Sequence, residues 1–214
     1  MANAFGLVLL LVLATYVLGS LTAFQDWTGV LTTVVASAAG VVGLAGSGAR
    51  PMVIRAAAIL GLVAVVLAVL SEIADDLHLL GASSFVVVIL LLAAAGGILR
   101  AVLAETQVGF RTILGAISVY TILGLLFTFL YAALDRVQAT PFFGSGVTLN
   151  HGDILFFSFT TLTTTGYGNL VPAGQPGRMF AGLEMLMGQI FLVTLVAGLV
   201  SLWRPGLLPR RRGG

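Results

Sequence analysis

Thr163-Thr164-Thr165-Gly166-Tyr167-Gly168-Asn169-Leu170-Val171-Pro172 follows a short apolar segment, 153–164, and the two together decide the fold. A helix of that segment's length spans about 18 Å at about 1.5 Å per residue. The hydrocarbon core of a bilayer is about 30 Å thick, so the segment reads as a re-entrant half-helix. Non-helical backbone at membrane depth is tolerated only where protein buries it or where it lines a water-filled path. A Thr-x-Gly-Tyr-Gly strand at that depth has a specific use, turning successive carbonyls toward one axis to replace the water around a dehydrated cation. Such a path needs positive φ at intervals, which glycine adopts without a Cβ clash, and Gly166 and Gly168 supply it. The carbonyls of Thr164, Thr165, Gly166 and Tyr167, with the Thr164 hydroxyl, then form stacked rings of oxygen. Tyr167 points away from the axis as a spacer. One strand is a quarter of such a cage, so four chains must surround one axis.

The rest of the chain fits that environment. Of 214 residues, 59% are hydrophobic and 8% charged, with a mean hydropathy of +1.12. A soluble domain carries about a quarter charged residues, so this chain cannot cover a globule with polar surface. Six apolar stretches are long enough to span a bilayer: 4–24, 27–46, 52–70, 83–103, 112–133 and 178–203. Placing the N-terminus inside puts Arg50, Arg55, Arg100, Arg111, Arg204 and Arg210 to Arg212 on the cytoplasmic face, with Arg136 and Arg178 outside. That is the positive-inside bias, and it makes both termini cytoplasmic in a multi-pass cell-membrane protein. Asp26, Glu72, Asp75, Asp76, Asp135 and Asp153 gather on the outer face. The chain has no cysteine and a net charge of +2 from ten dispersed arginines, which is no nucleic-acid footprint. No nucleic acid, organic substrate or organic cofactor is expected, and no enzymatic step; the partners are membrane lipid and further copies of the chain.

The sequence resembles the potassium channel family, whose signature is Thr-Val-Gly-Tyr-Gly followed by Asp. Phe156-Phe157-Ser158 stands where the family has an aromatic pair in its pore helix, Pro172 follows the filter, and Gly177-Arg178 opens the inner helix. The resemblance covers 112–203, and for 1–105 it rests on the six-helix count alone. It implies an all-α membrane fold of six transmembrane helices plus a re-entrant pore helix and filter loop, assembled as a homotetramer. A four-helix domain, 1–105, occupies the place of a voltage sensor. A pore domain, 106–203, holds an outer helix (112–133), pore helix (153–164), filter (164–168) and inner helix (178–203), and a basic cytoplasmic tail, 204–214, follows. The implied function is passive, selective conduction of potassium ions, the permeating ligand, at Thr164, Thr165, Gly166 and Tyr167, with Gly168 closing the filter. The alternatives are a weakly selective cation channel, a secondary transporter, or a non-conducting subunit. Transporters show paired broken helices in inverted repeats, and this chain has one re-entrant segment.

Two departures from the signature bear on selectivity. Thr165 replaces Val and adds a hydroxyl that needs a partner behind the filter. Asn169 replaces Asp and removes four carboxylates from the outer mouth of a tetramer. The family's pore-helix Glu is also absent, with Thr160 in its place. Glu184, an intramembrane carboxylate and so a functional candidate by default, reads as a replacement brace near Thr160 or Thr165. Its rival placement is a ring lining the pore. Asp153 is the expected cap of the short helix, and His151 is expected in the loop before it. Gly188 lies where small bacterial members place a hinge glycine, and it serves either bending or close packing. Gln189 and Leu192 are the candidates to line the cavity. In 83–103 the single arginine, Arg100, sits at the cytoplasmic end, so steep voltage sensing is not expected.

Overall fold

Every long apolar run is a helix in the computed structural model, which describes residues 2–21, 27–105, 109–138, 141–144 and 150–202. The helices are α1 (Ala2–Leu21), α2 (Thr28–Gly46), α3 (Pro51–Ala74), α4 (Leu77–Leu103), α5 (Phe110–Val137), α6 (His151–Leu162) and α7 (Gln175–Leu202). The described residues contain no strand. All but α6 are long and apolar enough to cross a membrane, making six candidate spans. Asp26, Thr106, Gln107 and the tail 204–214 with its four arginines lie outside the described residues.

The pattern of burial is that of a protein solvated by lipid. On α3 the buried positions are small or hydroxylic, namely Ala57, Gly61, Ala64, Ala68 and Ser71. Large side chains such as Ile59, Leu62 and Ile73 are exposed. Small residues let helices approach closely where lipid offers no hydrophobic drive. On α2, Gly40 faces Leu90 of α4, where an added Cβ would lie 2.7 Å from Cγ, and Gly43 faces Ile98. Ser83 bonds across to the Ala64 carbonyl at 2.8 Å, tying α4 to α3.

The two helix boundaries on either side of Asp75 and Asp76 differ from the hydropathy reading by four residues or more. α3 runs to Ala74 rather than 70, and α4 starts at Leu77 rather than 83. Capping decides both ends. Asp75 adopts a left-handed φ of 50°, and the Asp76 side chain accepts from the His78 amide at 2.8 Å. Hydropathy cannot see these outer turns, because their polar residues break the apolar window.

The N-terminal helices pack directly on the pore-side helices. α1 contacts α5 and α6 as well as α2, and α4 lies along α5. Ser118 of α5 donates to the Phe5 carbonyl at 3.1 Å, and Tyr16 meets Phe159 of α6 edge-on at 5.2 Å. Gly124 of α5 leaves room for that Phe159 ring, which an added Cβ would approach within 2.8 Å. The short helix is therefore wedged between α1, α5 and α7.

Candidate functional site

The short helix begins and ends on hydrogen-bonding devices that fix its position. Its cap is Asn150, one residue before α6, and not Asp153. Asn150 Oδ1 accepts from the Asp153 amide at 2.9 Å, and Asp153 Oδ2 accepts from the Asn150 amide at 3.1 Å. This reciprocal pair is a capping box with Asp153 in its third position. His151, expected in the loop, is the first residue of α6, its ring edge-on to Phe129 at 5.8 Å.

At the other end α6 stops at Leu162, two residues before the expected 164, in a Schellman arrangement. The Thr165 amide donates to the Thr160 carbonyl at 2.8 Å and the Thr164 amide to the Thr161 carbonyl at 2.9 Å. The Gly166 amide also reaches the Thr160 carbonyl, at 3.2 Å. Thr160 thus holds the loop through its backbone, while its hydroxyl turns back to the Phe157 carbonyl. Carbonyls left free at a helix C-terminus become the anchors of the loop that follows.

The backbone of that loop alternates. φ is +57° at Thr164, +53° at Gly166 and +79° at Gly168, and Thr165 and Tyr167 between them lie outside the left-handed region. In an ordinary strand successive carbonyls point to opposite sides; left-handed residues at every second position bring them toward one side. Thr164 pays a steric cost that the two glycines avoid, since a Cβ crowds its backbone there. The Thr165 hydroxyl has its partner in the Thr163 hydroxyl, 2.9 Å away. Tyr167 stacks on Phe156 of α6 at 5.6 Å with 16° between planes, yet remains 70% exposed in the single chain. Residues 163–169, Asn169 included, are all exposed in the single chain.

Glu184 is the corrected residue. Its side chain is 0% exposed, which does not fit a ring lining a pore. Its partners are not Thr160 or Thr165. Tyr131 of α5 donates to Oε2 at 2.6 Å, and Ser158 Oγ lies 2.6 Å from Oε1 and 2.7 Å from the Gly124 carbonyl. One carboxyl group thereby joins α5, α6 and α7. Sequence reasoning missed Tyr131. The available signal was a hydroxyl within an apolar span, which in hydrocarbon needs a partner.

Gly188, one turn further along α7, is buried against the end of α6, and a Cβ there would run into the Leu162 carbonyl. The helix continues unbroken through it. Gln189 is exposed and Leu192 is 36% exposed on the single chain. Beyond the loop, Arg178 Nε donates to the Pro172 carbonyl at 3.1 Å. The Ala173 amide donates to the Phe142 carbonyl, and the Phe142 amide to Asp135 Oδ1, both at 2.9 Å. The loop is therefore tied at its entrance to α6 and at its exit to α5 and α7.

Residues 115–204, which hold most of α5 together with α6, the loop and α7, match a family described as "Ion channel". No curated protein and no solved structure matches the chain. Together with six apolar spans, the match supports an ion channel and a multi-pass membrane protein.

Proposed function

We propose that four copies of this chain assemble around one axis into a potassium-selective channel of the cell membrane. The alternation of left-handed residues at Thr164, Gly166 and Gly168, directly after the protein-buried end of α6, is the observation that carries this reading. Carbonyls of Thr164, Thr165, Gly166 and Tyr167 from each copy replace the hydration shell of the ion, and the Thr164 hydroxyls add the innermost ring. Gly168 completes the alternation, and Asn169 stands at the mouth. α6 enters and leaves by the outer face, with both chain termini cytoplasmic. Its C-terminal end carries a partial negative charge, and four such ends favour a cation at the centre. Gln189 and Leu192 line the cavity below. Conduction is passive; no enzymatic step, organic cofactor or nucleic acid enters.

A weakly selective cation channel is the second reading. Asn169 favours it, because a tetramer then lacks four carboxylates at its mouth and the local cation concentration falls. Purified protein in liposomes, with reversal potentials in mixed potassium and sodium, separates the two. Selective conduction puts the reversal potential close to that of potassium, and weak selectivity pulls it toward zero. Barium, close to potassium in size and doubly charged, should block the flux.

A further inference from the structure

α1, α2 and α5 meet at the arginine-bearing face around a cleft of about 380 Å³, lined by Leu7, Val42, Ala45, Gly48 and Arg111 among others. Its walls are mainly apolar. Arg111 brings the charge, and its environment leaves that charge underused. The guanidinium lies 5.4 Å from the centre of the Phe5 ring, which holds it by a cation–π contact. Among the described residues its Nε is buried without a hydrogen-bond partner. Among the described residues its ion pair is with Glu105, a single 3.5 Å contact between side chains 36% and 43% exposed, the kind that contributes little. Apolar walls beside a weakly paired, partly exposed guanidinium suit an amphiphile whose head is an anion and whose tail is hydrocarbon. The face concerned also carries Arg50, Arg55 and Arg100, so the potential there favours anionic headgroups.

We infer that this cleft binds an anionic phospholipid, its phosphate on Arg111 and the upper part of one acyl chain between Leu7, Val42 and Ala45. The lipid would lie across the joint of α1 and α5, where Ser118 holds the Phe5 carbonyl. Occupancy would therefore stiffen the contact between the four-helix part and the helix leading to the filter loop.

The test uses the purified full chain in neutral detergent. It measures the melting shift and, by native mass spectrometry, the retention of added phosphatidylglycerol against phosphatidylcholine, each variant against its own lipid-free baseline. Phosphatidylglycerol should stabilise the parent more than phosphatidylcholine does, and inorganic phosphate should not. Arg111→Gln should weaken phosphatidylglycerol binding at least fivefold, as about 1 kcal/mol per arginine at an anionic surface implies. Arg55→Gln, a charge removed from the same face outside the cleft, should not. Ala45→Phe fills the cleft while leaving the arginine in place and should weaken binding too, so the test survives if Arg111→Gln does not fold. Equal phosphatidylglycerol binding by parent and Arg111→Gln would overturn the site. An equal shift with inorganic phosphate would assign it to a free anion instead. Changed oligomeric state in Ala45→Phe with lipid binding intact would mean that a second copy covers the cleft.

Discussion

Thr164 is held at a left-handed φ of 57°, where a side chain other than glycine costs roughly 1–2 kcal/mol. Strain of that kind persists only where the surroundings over-determine it, and here the amides of Thr164 and Thr165 do so by bonding to the end of α6. A glycine would satisfy the same backbone at less cost; in the proposed channel the threonine adds its hydroxyl to the innermost ring of oxygens. Thr164→Gly should leave thermal stability unchanged or raise it by about 1 kcal/mol per subunit, while weakening barium block of potassium flux. Unaltered block would take the hydroxyl out of the ion path. Glu184 gives a second residue-scale prediction. Ser158 has one proton and two acceptors within reach, Glu184 Oε1 and the Gly124 carbonyl. Gln at 184 donates on one side and accepts from Tyr131 on the other, so Glu184→Gln should retain most of the stability. Glu184→Ala leaves Ser158 its bond to the Gly124 carbonyl but strands the buried Tyr131 hydroxyl, and should cost about 1–3 kcal/mol for that group. Thermal melts of the two variants check this; equal losses would mean the hydrogen bonds contribute nothing.

Among the elements, α6 and α7 meet where Gly188 lies on the Leu162 carbonyl. A backbone oxygen cannot swing aside as a side-chain tip can. Gly188→Ala should therefore lower the melting stability, by about 1–3 kcal/mol for an overpacked contact, with weaker assembly. A normal melt and normal assembly combined with reduced open probability in single-channel recording would restore the hinge. How much of this was legible in the sequence varies with the physics involved. The spans were legible because hydrocarbon demands about 20 apolar residues in a row. The ends of α3, α4 and α6 were less so, since Asp76 and Asn150 set them through side-chain bonds that hydropathy ignores. Glycine spacing points to Gly166 and Gly168 as left-handed positions. It is silent on Thr164, whose conformation follows from the helix end before it. Helical spacing likewise puts Glu184 on the face of Gly188, but its partners come from α5 and α6, and no spacing within α7 reveals them.

For the whole molecule, the four helices before the pore carry little charge to move. Arg100 lies exposed in the last turn of α4, and one charge crossing 100 mV yields only about 2.3 kcal/mol even over the full field. Arg100→Gln should leave the slope of the conductance–voltage relation nearly unchanged; a marked loss of slope in voltage-clamped bilayers would make α4 a voltage sensor. What α1 and α4 do supply is a wall behind the pore side, through Tyr16 on Phe159 and the Phe5 carbonyl on Ser118. In the proposed channel the alternating loop after α6 strips and selects potassium. The most direct test of that role is the reversal potential of purified protein in bilayers with potassium and sodium on opposite sides, for the parent and Gly166→Ala. At φ +53° an added Cβ strains the backbone. The parent should reverse near the potassium potential, and the variant should carry no selective current. A variant as selective as the parent would contradict that role for the loop.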